Sequence, residues 1–313
     1  MSEFLKHVKN GLSQTQKKLS SRYFYDKKGD ELFRQIMKTE EYYLPACEMN
    51  IIHNKSKHVA KAINQTHQDL QIVELGAGDG SKTKYLLKEF TPHFQDIEYV
   101  ALDISPHVLT INAEEIYQLN PSITTKFIAG NYFQAYPNVP AHTGGRLVLF
   151  LGANIGNFSI EASVDFFRFV NKHLQPKDYF LVAFDLVKNP RKILGAYDDK
   201  EGVTKAFNLN LLSRINQELG ANFDLDKFDH FPFYNPITGI TSSQIISLEK
   251  QEVSLPDGTV FHFDAYEAIH TEISKKYFHS DIEKIASESG ITISQYYYDD
   301  NKEYTFVLFQ SNL

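Results

Sequence analysis

The sequence predicts an α/β protein: a mostly parallel sheet flanked by helices, with a second, α+β unit. Three observations carry this expectation. From Leu70 onward, short apolar runs alternate with helical stretches, the pattern of βαβ units with right-handed crossovers. Leu147-Val148-Leu149-Phe150-Leu151 is continuously apolar, as expected for a strand buried on both faces. Between the first such strand and the helix after it, glycine stands at every second position: Gly76, Gly78 and Gly80. A turn of this kind lets backbone come close to a ligand, because no side chain intervenes.

Taken in order, residues 1 to about 64 read as helical, with few strand signals. Strands are expected at 70–75, 97–103, 123–129, 145–151 and 178–186, with helices such as 105–118 and 160–174 between them. After Leu186 the pattern changes. Val203, Phe207, Leu211, Ile215 and Leu219 recur every four residues and Gly220 follows, which predicts an amphipathic helix with a glycine stop. Between 231 and 275 the signals are β, with an Asp257-Gly258 turn between strand-like arms. A helix at 279–289 precedes strands at 291–299 and 304–310, joined by an Asp/Asn-rich turn. This pattern places an α/β core at 65–188 plus 276–313, and a second unit at 1–64 plus 189–275.

Composition excludes several classes. Apolar residues make up 42% of the 313, ample for a packed core. The net charge is −7 and the lysines and arginines are scattered, which argues against a nucleic-acid binder, since such proteins neutralise phosphates. A single cysteine, Cys47, forms no intrachain disulfide and no zinc cluster. The histidines show no HxH or HExxH spacing, so no metal is expected. No apolar run approaches the roughly 18 residues of a membrane span, and the N-terminus lacks the apolar stretch of a signal peptide. A soluble, cytoplasmic, monomeric protein with a small-molecule partner is the expectation.

The glycine run narrows the ligand. Glu74 stands directly before it, and the third glycine comes one residue earlier than in the G-x-G-x-x-G of dinucleotide sites. Glu74-Leu75-Gly76-Ala77-Gly78-Asp79-Gly80 resembles the first motif of S-adenosylmethionine-dependent methyltransferases, E/D-x-G-x-G-x-G. Asp103 closes the second strand, where an acid in such a fold accepts hydrogen bonds from the cofactor's ribose hydroxyls. It also suits a nicotinamide cofactor, or a cap for the helix that begins near Ser105. Asn131 and Tyr132 follow the third strand and suit the edge and face of an adenine, or equally a loop amide and a surface ring. The fourth strand ends in 151–158, outside the carboxyl end of the sheet where ligands bind, so this segment is expected to face the reacting methyl. The Asn/Asp-Pro-Pro-aromatic tetrad of base-modifying enzymes does not occur there.

Seven blocks, in one order and spread over nearly the whole chain, sharpen the resemblance. They are Tyr23-Phe24-Tyr25-Asp26 running on to Leu32-Phe33; Glu41-Tyr42-Tyr43-Leu44-Pro45; the glycine run with Ser81-Lys82-Thr83; and Phe150-Leu151-Gly152 with Ile155-Gly156-Asn157. Then come Asp185-Leu186-Val187-Lys188; Ala196-Tyr197-Asp198-Asp199 with Gly202-Val203-Thr204; and Thr271-Glu272-Ile273-Ser274 to Tyr277. The chain resembles the histidine-specific Nα-methyltransferases of ergothioneine biosynthesis. The resemblance implies a Rossmann-like class I methyltransferase sheet whose last strand runs antiparallel, with a substrate-binding second domain. It implies S-adenosyl-L-methionine as cofactor, held by Gly76, Gly78, Lys82, Asp103, Asn131 and Tyr132. It implies that Tyr42, Asn157 and Tyr197 grip an amino acid's carboxylate and amine, with Tyr25 next to the amine that receives the methyl. Glu272 and Ser274 would read the imidazole. On a strand these two share a face, and a carboxylate beside a hydroxyl can satisfy both nitrogens of one ring.

Without the resemblance the same residues have plainer readings: Glu272 and Ser274 on an exposed strand, Tyr25, Tyr42 and Tyr197 as packing aromatics, Lys82 as a solvated first-turn residue, Asn157 as a helix cap. Two departures stand out. Asn131 occupies a position that is acidic in the family, and relatives carry a methionine-containing apolar segment where 241–246 has none. Alternatives to histidine methylation are therefore the same chemistry on another amino acid or small amine, or a non-catalytic cofactor-binding module.

Overall fold

The computed structural model describes residues 2–311. The chain divides into two compact units. One is Leu44–Leu186 with Lys276–Leu313, the other Met1–Tyr43 with Val187–Lys275.

In the first unit, strands β1 (Asp69–Leu75), β2 (Asp96–Asp103), β3 (Thr124–Ala129), β4 (Gly145–Phe150), β5 (Tyr179–Asp185), β6 (Ile291–Tyr298) and β7 (Tyr304–Ser311) form one sheet. Their order is β3-β2-β1-β4-β5-β7-β6. Strands β1 to β5 pair in parallel, and β7 runs antiparallel to both β5 and β6. The Asp/Asn-rich turn closes the β6–β7 hairpin because Asp299 accepts the amides of Glu303 and Tyr304 with one oxygen, each at 2.7 Å. β5 is buried along its whole length, as its apolar run predicts. Strand order reverses between β1 and β4. Their outgoing loops therefore diverge and leave a crevice at the carboxyl edge.

The core of this unit joins aliphatic side chains to a cluster of phenylalanines. Phe167 packs edge-on against Phe180 and Phe309, each at 5.0 Å, and Phe150 lies 4.7 Å from Phe166. Burying each such ring contributes about 1.5–3 kcal/mol. Hydroxyl caps start the flanking helices: Ser105 accepts the Val108 amide ahead of Pro106–Leu119, and Ser159 accepts that of Ala162 ahead of Ile160–Asn171. Buried Lys276 pairs with buried Asp185 at 2.9 Å.

The helix Leu44–Asn64 corrects the expected boundary, which assigned all of 1–64 to the other unit. Its buried stripe (Cys47, Ile51, Ile52, Val59, Ala60 and Ile63) packs against the helix Thr83–Phe90 and strand β7. Periodicity reveals that a helix has an apolar face but not what covers it.

The second unit contains a four-stranded sheet in the order Lys17–Lys18, Ala268–Lys275, Ile240–Ser247, Phe228–Asn235. The first pair is parallel and the others antiparallel. Two lysines carry no strand signal; Lys17–Lys18 becomes a strand through pairing with Ile269 and His270. Burial alternates along Phe228–Asn235 and Ile240–Ser247, so one face of the sheet is covered. Gln251–Ser254 and Val260–Phe263 form a separate hairpin around Asp257-Gly258, with Gly258 at φ +85°. The helices are Glu3–Leu12, Lys27–Ile36, Pro190–Gly195 and Val203–Leu219, the last ended by Gly220. Phe4, Phe24, Phe207, Leu211, Ile215, Phe228 and Ile245 belong to its core.

Candidate active site

The turn after β1 is built for close approach. Gly76, Gly78 and Gly80 have φ of +75°, +58° and +73°, a region that L side chains disfavour. Their surroundings differ. A Cβ on Gly80 would meet Asn112 Cγ at 2.8 Å, whereas a Cβ on Gly78 would have nothing within 4 Å. Gly80 is thus required by the protein's own packing, and Gly78 leaves one side of the turn open. Strand β2 fixes the loop from beside it. Leu102 O accepts the amides of Gly76 and Ala77 at 2.8 and 3.0 Å. The Asp103 carboxylate accepts the Gly78 amide at 3.0 Å with one oxygen and the Ser105 amide at 2.9 Å with the other. Ser105, not Asp103, caps the following helix. Each carboxylate oxygen keeps a second acceptor site, suited to a ligand's hydroxyls.

Beneath the turn lies a buried polar network. Glu74 accepts Thr83 Oγ1 at 2.8 Å and the Tyr99 hydroxyl at 2.6 Å. Asn112 donates to Gly78 O at 3.1 Å and to the Tyr99 hydroxyl at 3.3 Å. Burial pushes the Glu74 carboxyl up to about 7, against the opposing pull of those hydrogen bonds and of Lys82. Lys82 is half-exposed, with 36% of its side chain open, and it forms an ion pair with Glu48, whose side chain is 2% exposed. Burial pulls the ammonium down, but Glu48 outweighs it, so Lys82 sits above the usual lysine range. Glu48 also accepts the Gly152 amide at 2.6 Å and the Tyr304 hydroxyl at 3.3 Å.

After β3, Asn131 caps a short helix by accepting the Phe133 amide at 2.9 Å. Tyr132 packs against Phe133, Phe150 and Phe166, and burial pushes its phenol up to about 12. It therefore presents an uncharged ring. After β4, the turn Asn154–Asn157 leaves Asn157 exposed, and Ser159, not Asn157, caps the helix that follows. Tyr277 steadies this turn by donating to Ile155 O at 2.7 Å. Asp103 thus closes β2, and Gly76, Gly78, Lys82, Asn131, Tyr132 and Asn157 follow the carboxyl ends of β1, β3 and β4, the edge at which open α/β sheets bind ligands.

The other unit carries Tyr25, Tyr42, Tyr197, Glu272 and Ser274. The Tyr25 ring lies 5.6 Å from Phe33 and 5.8 Å from Phe207, and Phe33 lies 6.3 Å from Tyr42. Tyr25 keeps 48% of its surface open. Desolvation by the surrounding chain, then the charges of Glu272 and Asp30 and the nearby Tyr197, hold its phenol well above the usual tyrosine range. Tyr25, Tyr197 and Glu272 therefore share one electrostatic neighbourhood. Glu272 and Ser274 share a strand face, opposite Ser243 and Thr241 of the next strand. Register thus places the methionine-free 241–246 segment alongside this pair. Asp199 anchors the turn beyond Tyr197 by accepting the amides of Val203 and Thr204 at 2.8 and 2.7 Å.

Sequence reasoning missed Glu48, Asn112, Phe33 and Phe207. Glu48 had a detectable signal, since it interrupts the apolar stripe Leu44-Cys47-Ile51 on its helix. Among the described residues, the one group of three able to hold a metal ion is Cys47, Asp299 and Glu303, and Asp299 there already serves the β6–β7 turn. No helix among the described residues is long and apolar enough to cross a membrane.

A sheet of this order, with a glycine turn after β1 and an acid closing β2, defines a class I S-adenosylmethionine-dependent methyltransferase. The fold is shared with a solved mitomycin 7-O-methyltransferase, at TM-score 0.50 and 12% identity, covering 99% of this chain and 69% of that one. Residues 4–311 match the S-adenosylmethionine-dependent, histidine-specific methyltransferases, and the chain belongs to that family. It is 32% identical over 293 residues to histidine N-alpha-methyltransferase of Mycolicibacterium smegmatis, covering 93% of this chain and 90% of that protein. To the enzyme of the same name from Mycobacterium tuberculosis it is 34% identical over 272 residues, covering 86% and 83%.

Proposed function

We propose that this chain is a cytoplasmic enzyme that methylates the α-amine of free L-histidine, repeatedly, up to the trimethylated betaine. The observation that carries the residue roles is the shared neighbourhood of Tyr25, Tyr197 and Glu272, in which desolvation first and the Glu272 carboxylate second raise a tyrosine beside an aromatic cluster. Glu272 and Ser274 accept from and donate to the imidazole, while Tyr42, Tyr197 and Asn157 bind the carboxylate and amine. Gly76, Gly78, Lys82, Asp103, Asn131 and Tyr132 bind the cofactor, whose sulfonium supplies an electrophilic methyl.

No oxyanion develops when a neutral amine attacks a sulfonium methyl, so alignment supplies most of the acceleration, up to roughly 7–11 kcal/mol in ideal cases. The reference pKa of roughly 7.7–8.0 belongs to a peptide's terminal amine; a free amino acid's α-amine, beside a carboxylate, is more basic, so most of it must shed a proton before it can attack near pH 8. Tyr25 remains a phenol at that pH, so it serves as a hydrogen-bond partner that turns the amine's lone pair toward the methyl, not as a phenolate base. The test is Glu272→Ala, titrated calorimetrically with histidine and with S-adenosylhomocysteine separately. Histidine binding should weaken far more than cofactor binding, and an equal loss of both refutes the assignment.

One observation favours a second reading, the same chemistry on a different amino acid or small amine. Thr241 and Ser243 line up across from Ser274 and Glu272, giving that strip polar side chains where the resemblance implies a methionine-containing apolar segment. Mass spectrometry of a panel of free amino acids incubated with the enzyme and S-adenosylmethionine separates the two.

A further inference from the structure

We propose that Glu48 is a positioning residue of the cofactor site: its buried carboxylate fixes the Lys82 ammonium in place and ties it to the loop that leaves β4. The proposal rests on the reading of Lys82 as a cofactor contact. All the groups concerned lie in one unit.

Packing alone does not call for an acid here. Position 48 falls on the buried stripe of its helix, between Leu44 and Ile51, where an aliphatic side chain would fill the space. Taking a carboxylate out of water costs several kcal/mol unless its oxygens are well partnered. Glu48 is partnered on both. One oxygen receives Lys82, and the other receives the Gly152 amide at 2.6 Å and the Tyr304 hydroxyl at 3.3 Å. With both oxygens engaged the carboxylate plane cannot turn, so the ammonium has a defined location.

Two features make that location matter. Lys82 immediately precedes the helix that follows the glycine turn, and Gly152 opens the loop that leads to Asn157. One side chain therefore joins the two loops on either side of the point where strand order reverses. An unrestrained lysine samples many rotamers and loses that freedom when it binds, whereas a lysine already ordered by a counter-charge does not. An ammonium has three N–H donors. Glu48 engages one, and two remain for a ligand carboxylate such as that of the cofactor's amino-acid end.

A double-mutant cycle tests this, with S-adenosylhomocysteine affinity measured by calorimetry. Glu48→Gln keeps an acceptor for Gly152 and Tyr304 while removing the charge that orders Lys82. It is expected to weaken binding at least about ten-fold, or ~1.4 kcal/mol. In a Lys82→Met background the same change should cost less than about two-fold, because the group it positions is gone. Equal losses in both backgrounds would mean a general structural role and would overturn the proposal, as would unchanged affinity in Glu48→Gln. If Lys82→Met itself binds normally, the reading of Lys82 fails instead, so the two failures are distinguishable. Should Glu48→Gln not fold, Glu48→Asp, which keeps the charge but withdraws it by one methylene, runs the same cycle with the same criteria.

Discussion

Gly78 and Gly80 are two residues apart in the same turn, yet alanine should fail at each for a different reason. Both positions have positive φ, which costs an L-residue about 1–2 kcal/mol. At Gly80 the added methyl also meets Asn112 at 2.8 Å. Moving Asn112 breaks its bonds to Gly78 O and the Tyr99 hydroxyl, each worth about 0.5–1.5 kcal/mol. Gly80→Ala should therefore lose about 2–5 kcal/mol of stability. At Gly78 nothing lies within 4 Å, so the loss should stay near the backbone cost of about 1–2 kcal/mol. Its methyl, however, projects into the open side of the turn, where the ligand is expected. Gly78→Ala should accordingly weaken S-adenosylhomocysteine binding by about a hundred-fold, roughly 2.7 kcal/mol. Urea denaturation measures the first quantity and calorimetry the second. Two results would refute the reasoning: Gly78→Ala binding within two-fold of the natural protein, or Gly80→Ala no less stable than Gly78→Ala.

Three further expectations follow from buried groups. The Glu74 carboxyl sits at about 7 in the folded protein against its usual 4.5. Its contribution is full below pH 4.5 and disappears as pH rises through 7, a loss of roughly 3 kcal/mol; Glu74→Gln should show no such decline when urea midpoints at pH 5 and pH 8 are compared, and parallel profiles would contradict the assignment. Lys276→Met breaks the buried ion pair with Asp185 and should cost about 3–5 kcal/mol in the same measurement; a loss under 1 kcal/mol would mean the pair is not desolvated. Tyr277→Phe removes the bond to Ile155 O beneath the Asn157 turn and should cost about 1–3 kcal/mol. Steady-state kinetics should show a raised KM for histidine with the cofactor KM unchanged, and the opposite split would separate Asn157 from the amino acid.

Local pattern was enough for much of this protein. The parallel sheet was legible because a strand buried on both faces must be nearly continuously apolar, as at residues 147–151 and 179–184. The glycine turn was legible because positive φ selects glycine at each position. The helix ending at Gly220 was legible from a four-residue repeat and its stop. Tertiary structure decided what depends on segments distant in the chain. The helix Leu44–Asn64 shows an apolar face in any setting, but only packing against β7 assigned it to the sheet unit. Lys17–Lys18 became a strand through a partner some 250 residues away. Glu48 turned from an anomaly on a buried stripe into a bridge only once Lys82, Gly152 and Tyr304 surrounded it. Tyr25 acquired its raised pKa from the desolvating chain packed around it and from Glu272. Periodicity and backbone angles are properties of neighbouring residues and are written along the chain. Charge states and partners arise from the low-dielectric surroundings that folding assembles, and no stretch of sequence contains those by itself.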